Sequence, residues 1–145
     1  MTAEATRLQL LEQHARLRQH VEECARFARL YLAGDVFGAE LDRALERLRD
    51  EFTAHNATET RVISQLLHGP AAWSSLMIDR MLEEHIAEHA AFWELMTGTR
   101  AEIATRIDDL ADELEAHMAA EERTFLAPVT LRDDVIRVRT REETR

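Results

Sequence analysis

Three stretches of this chain each carry two potential metal ligands four residues apart: His55 and Glu59, His85 and His89, His117 and Glu121. A seventh, His14, stands alone upstream. Four residues is just over one helical turn, so both members of a pair leave a helix in the same direction. Five imidazoles and two carboxylates form a ligand set for two metal ions, provided that they converge. No thiolate accompanies them, and imidazole with carboxylate suits Fe, Mn, Zn, Cu or Ni. Zinc generally takes four ligands per ion. Seven ligands, two of them carboxylates able to bridge, fit two higher-coordinate ions such as iron better.

The elements that must position these groups are legible from Gly and Pro. Gly34-Asp35 closes a first segment of roughly 5–33, and His68-Gly69-Pro70 closes a second that starts near Gly38. Thr97-Gly98 closes a third beginning around 72–75. The fourth opens on Thr99-Arg100-Ala101-Glu102, a capping-box pattern, and is expected to stop at Ala127-Pro128. Long helices with short loops predict an all-α fold, an antiparallel up-down-up-down four-helix bundle over residues 1–128. Residues 129–145 are expected to form a short C-terminal tail with room for a short helix. No period-2 strand pattern competes.

Apolar residues recur at 4-3 spacing on each segment. The stripes read Leu10, His14, Leu17, Val21, Cys24, Ala28, Tyr31, then Leu41, Leu45, Leu48, Phe52, His55, Glu59, Val62, Leu66. They continue as Ile78, Leu82, His85, His89, Phe92, Met96, and as Ile103, Ile107, Leu110, Leu114, His117, Glu121, followed by Phe125. Each stripe is interrupted only where a candidate ligand stands. Depth is an independent constraint. His14 lies about nine residues into the first helix, and His85 and His89 about 12–16 into the third. His55 and Glu59 lie about 8–12 before the end of the second, and His117 and Glu121 about 6–10 before the end of the fourth. At 1.5 Å per residue these positions fall in one layer of an antiparallel bundle.

Any one pair could be accidental in a chain with 28 acidic residues. A lone histidine on an apolar stripe is more often a hydrogen-bonded core residue than a ligand. Seven such groups in one buried layer are different, because each would cost about 1–3 kcal/mol unpartnered, and several if charged. His20 lies off the first stripe and His68 in a break, so both are read as surface residues. Glu122 lies about 100° round the helix from Glu121, which favours Glu121 as the ligand. Tyr31 is too far along its helix from His14 to join the set.

Composition narrows the partners. The 145 residues, 46% hydrophobic and 32% charged with 4 Gly and 2 Pro, suit a compact helical domain. A formal net charge of −10 argues against nucleic acid or an anionic membrane as a main partner. The Arg-bearing stretch 132–145 alternates with acids and reads as solvated surface. No apolar run approaches the ~18 residues of a membrane span, and the first residues lack a signal-peptide pattern. The one cysteine, Cys24, sits among Val21, Ala25 and Ala28 and reads as a buried structural thiol in a reducing, cytoplasmic setting.

His14, His55-x-x-x-Glu59, His85-x-x-x-His89 and His117-x-x-x-Glu121, spread over about Leu10 to Pro128, resemble the hemerythrin-like (HHE cation-binding) family. No acid stands three residues before any of these histidines, unlike the Glu-x-x-His di-iron bundles. The resemblance implies two Fe ions in a non-haem centre, bridged by an oxo or hydroxo group and by Glu59 and Glu121. It implies that His85, His89 and His117 hold one iron. His14 and His55 would hold the other and leave it open to dioxygen, peroxide or nitric oxide.

In the oxygen-carrying members of that family an Asp follows the last-helix His by five residues; here Glu121 follows His117 by four. The stretch from His14 to His55 is also longer. Both features resemble the broader branch of sensors and peroxide-decomposing proteins. The expected function is therefore a di-iron protein that binds or turns over O2, H2O2 or NO, with peroxide decomposition or redox protection favoured over oxygen carriage. A non-catalytic iron or oxygen sensor is the alternative, and a plain bundle with adventitious metal is the third. Leu114, Phe52 and Phe92 are expected to keep the pocket dry. No side chain is singled out as catalytic, although Glu122 could be an acid behind the ligands. A free-standing monomer or weak homo-oligomer is expected.

Overall fold

The computed structural model describes residues 3–34, 36–68, 75–124 and 126. These form four α-helices and no strand: α1 Ala3–Gly34, α2 Gly38–His68, α3 Ser75–Leu95 and α4 Arg100–Arg123. The stretch 129–145, the Gly69-Pro70 break and Phe125 lie outside the described residues, as do the side chains of Leu66, His68 and Ile78.

Local chemistry explains the boundaries. Thr99 caps α4, its hydroxyl accepting from the Glu102 N–H at 3.2 Å. The Glu102 carboxylate turns to Arg106 at 3.1 Å instead of completing the capping box. Gly98 lets the chain turn between α3 and α4 at a φ of +125°, which side chains with a Cβ rarely adopt.

The end of α4 differs from the expectation at Ala127. The helix stops at Arg123, because Thr124 leaves the helical region at φ −106° and ψ −101°. Its hydroxyl bonds to Ala120 O at 2.8 Å. The Leu126 N–H then reaches back to Glu121 O at 3.0 Å, which tucks Leu126 into the core at 1% exposure. The stop coincides with the burial of Leu126, whose carbonyl accepts from Arg7 Nε on α1 at 3.0 Å.

The stripes converge on one core containing Leu17, Cys24, Leu41, Leu48, Phe52, Phe92, Ile107, Leu110 and Leu114. Cys24 is buried, and burial pushes its thiol up to about 12, so it is an inert packing group. Contacts between neighbouring helices run in opposite numerical order. Between α1 and α2, Gln13 meets Thr58, Arg16 meets Glu51 and Glu23 meets Arg47. Between α1 and α4, Arg7 meets Leu126 and Arg18 meets Glu115. Arg49 on α2 reaches Met96 O at 3.0 Å, just past the end of α3. This register brings the candidate ligands to a single level.

Candidate metal centre

All seven sequence-predicted residues come together inside the bundle. They form two overlapping groups, Glu59 with His85, His89 and His117, and Glu59 with His14, His55 and Glu121. Within each group the potential ligand atoms lie within 4.8 Å of one another. Glu59 belongs to both. Its Oε2 is 3.1 Å from His85 Nδ1 and 3.8 Å from His89 Nε2. Its Oε1 touches His55 Nε2 and lies 3.8 Å from His117 Nε2. Glu121 Oε1 is 2.7 Å from His117 Nε2 and 3.6 Å from the Nε2 atoms of both His14 and His55.

The rings sort in the same way. His14 and His55 have centroids 4.8 Å apart, while His85, His89 and His117 lie 5.1–5.5 Å from one another. His14 and His55 are sealed at 0% exposure, whereas the His89 side chain is 21% exposed. The cluster therefore has a closed end between α1 and α2 and a more open end at α3. His20 is half-buried on α1 and outside both groups.

These atoms approach closely without hydrogen bonding. Nε2 of His14, His55 and His117, both oxygens of Glu59 and both oxygens of Glu121 are buried and have no hydrogen-bond partner among the described residues. Such atoms cost about 1–3 kcal/mol each when left so. Lone pairs that face a common point rather than a neighbour's N–H are what cation coordination requires, so the donor set fits metal ions.

Charge balances within the cluster. Burial works to lower the basicity of His55, but Glu121 and Glu59 override it and bring the ring up to about 9. His117 is pushed up to about 11 by the same two carboxylates against the same burial. His85, where burial dominates, is lowered. Burial works to raise Glu59, but Glu121 and then the imidazoles of His117, His55 and His89 hold it well below the usual carboxylate range. Burial and Glu59 work to raise Glu121, and His117, His14 and His55 hold it below that range.

Each of three imidazoles is also held from behind. His14 Nδ1 is 3.0 Å from Glu122, itself clamped by Arg18 at 3.0 Å. Burial works to raise the Glu122 carboxyl, and Arg18 and His14 override it and lower it. His117 Nδ1 contacts Glu88. His55 Nδ1 is 3.0 Å from Gln13 Oε1. Glu122 thus sits behind a ligand-type ring while Glu121 points into the cluster, the arrangement expected from their 100° separation.

Gln13 and Glu88 were not singled out by sequence reading. Gln13 adjoins His14 and stands three residues after Leu10 and four before Leu17, so a wider reading of the α1 stripe would have included it. Glu88 is 46% exposed and carried no signal that set it apart from other surface acids. Beside it, Phe52, Phe92, Leu114, His89, His117 and Glu113 line a cavity of about 10 Å³. Phe52 and Phe92 stack at 3.7 Å, and Phe52 meets the His89 ring edge-on at 5.3 Å. The three apolar residues expected around the pocket thus stand at its open end.

No helix of the described chain is long and apolar enough to cross a membrane. Comparison with curated proteins and with solved structures yields no match. A family model for the hemerythrin HHE cation-binding domain matches residues 8–129, which include all seven clustered side chains. The buried His/Glu cluster and this match lead to one assignment: the chain belongs to the hemerythrin HHE cation-binding domain family and is a metal-binding protein.

Proposed function

We propose that the cluster holds two iron ions, with His85, His89 and His117 at one and His14 and His55 at the other, Glu59 and Glu121 being shared. We further propose that the protein binds or turns over a small oxidant, O2, H2O2 or NO, and that peroxide decomposition in a redox-protective role is favoured over oxygen carriage. The observation that carries this reading is the set of seven buried, unpartnered nitrogen and oxygen atoms facing one another. Bound there, iron supplies the redox change that such oxidants require.

The protein's own groups support the rest. Two imidazoles would stand at the closed-end ion against three at the other, and the cavity lies beside His89 and His117, so a small species would approach the shared centre from the three-imidazole side. The cavity of about 10 Å³ is at the lower limit for one water, so only the smallest species would enter without side chains moving aside. Glu88 and Glu113 at its edge disfavour anions and leave neutral species free to approach. Phe52, Phe92 and Leu114 exclude further water from the ligand atoms. Carboxylates behind His14 and His117 make those rings stronger donors, which favours a more oxidised ion. A buried single cysteine suits a reducing cytoplasmic setting, and the protein is read as a monomer or weak homo-oligomer.

The first test is metal quantification with an optical spectrum after loading with iron. Two irons per chain, near-ultraviolet absorption and a spectral shift with azide are expected; well under one ion per chain would sink the reading. Peroxide added to the iron-loaded protein should release oxygen, and bleaching without oxygen evolution would remove the peroxide-decomposing version. A sensor reading draws on a separate observation, that all four helices contribute to the cluster. It requires a marked loss of helicity on chelation, so equal helicity with and without iron would count against it.

A further inference from the structure

Gln13 is 5% exposed, and the two ends of its side-chain amide meet different partners. Its Nε2 is 3.0 Å from Thr58 Oγ1, and its Oε1 is 3.0 Å from His55 Nδ1. The polarity of this chain follows from its far end. The Thr58 hydroxyl has one proton and donates it to Ala54 O at 3.1 Å. Thr58 Oγ1 therefore accepts from Gln13, which turns the amide NH2 toward Thr58 and the carbonyl toward His55. A carbonyl only accepts, so His55 Nδ1 must carry hydrogen. Nε2 is then the nitrogen that faces Glu59 and Glu121 inside the cluster, the one a cation would take in place of a proton.

His14 and His117 have carboxylates in the corresponding place. Glu122 and Glu88 are both partly exposed, whereas the space behind His55 is sealed. A third acid there would be a buried charge beside two others. A neutral amide does the same orienting work without it. Its weakness is that an amide can turn over and present NH2 to the ring, and Thr58 opposes that flip.

We propose that Gln13 is a positioning residue, which with Thr58 fixes the tautomer and orientation of His55 and thereby sets the metal affinity of the closed end of the cluster. This rests on the metal-centre reading above. A group that orients an imidazole ligand is commonly worth about 10–100-fold in affinity. The flip that Thr58 prevents costs about one hydrogen bond, or about fivefold.

The test uses the full chain with Gln13→Leu and Thr58→Val. Ferrous iron is titrated under nitrogen, and zinc-loaded protein is examined by 15N NMR of the imidazoles. The wild type should bind two ions and show a His55 Nδ1–H that exchanges slowly with water. Gln13→Leu should lose that slow exchange and weaken one ion 10–100-fold while leaving the other unchanged. Thr58→Val, which keeps Gln13 in place, should weaken the same ion about fivefold with unchanged helicity, and it decides the matter if Gln13→Leu does not fold. Wild-type affinity at both positions in the variants, an unchanged His55 signal, or equal weakening of both ions would overturn the proposal. A wild type that takes up neither iron nor zinc would overturn the metal-centre reading, and this inference with it.

Discussion

Replacing Glu59 with Gln is the most informative single change at this site. Glu59 is 1% exposed and stands in both close-packed groups found among the described residues, whereas Glu121 stands in one. The substitution keeps the shape and removes one carboxylate from each proposed ion. A unit charge acting over ~4 Å at an effective dielectric near 20 is worth about 4 kcal/mol. Allowing for compensation, a loss of about 3–4 kcal/mol per ion corresponds to affinity falling by about 10²–10³. Take wild-type protein with free ferrous iron at a hundredfold excess over Kd. Each ion then stabilises the fold by about 2.7 kcal/mol, and two raise Tm by about 10–20 °C for a chain of this size. In the variant the same iron concentration is at or below Kd, so each ion contributes at most about 0.4 kcal/mol. The gain should shrink to about 3 °C or less. Anaerobic thermal melts with and without iron measure this, and far-ultraviolet circular dichroism of chelated protein checks that the variant folds. A variant that keeps two ions and the full Tm gain would refute the role given to Glu59.

Chelator-stripped protein should be most stable, as far as this cluster decides, between about pH 4.5 and 6.5. His55 and His117 are raised from 6.5 to about 9 and about 11, so their contribution is complete below 6.5 and is lost as pH rises through those values. Glu59 and Glu121 are lowered from 4.5, so theirs is present above 4.5 and lost as pH falls. His85, lowered from 6.5, moves the optimum toward the upper end of that window. Urea midpoints from pH 4 to 10 test this, and a midpoint still climbing from 7 to 9 would contradict it. Phe52→Ala, which removes a 1%-exposed ring stacked on Phe92, should cost about 3–5 kcal/mol in urea denaturation. It should also speed oxidation of the ferrous protein in air; an unchanged rate would deny Phe52 a part in excluding water. Gly98→Ala forces a Cβ onto φ +125° and against the Glu102 carboxylate, so it should destabilise the fold by about 1–3 kcal/mol. A neutral effect on the urea midpoint would show that the α3–α4 turn relaxes freely.

Much of the site could be read before the fold. The side-chain period of a helix is a local property, so His55 and Glu59, or His85 and His89, must share a face wherever the helix lies. Burial of one stripe per helix then leaves the candidate ligands no place but the core, and Gly and Pro mark where the stripes break. Those constraints placed all seven side chains, and they separated Glu121 from Glu122 by angle alone.

Tertiary structure decided what stands behind the rings and where the cluster opens. Gln13 meets His55, and Glu88 meets His117, across helix boundaries. Such contacts depend on the rotation and register of two helices together, to which single-helix periodicity is blind. Among 28 acidic residues, nothing local sets Glu88 apart. The end of α4 at Arg123 was not legible either: there the chain leaves the helix, Leu126 is buried, and its carbonyl accepts from Arg7 on α1, a contact between residues far apart in the chain. The ligand faces were thus written in local spacing. The groups behind the rings, the sealed end at His14 and His55 and the opening at His89 came only from how the four helices pack, because each depends on groups far apart in the chain.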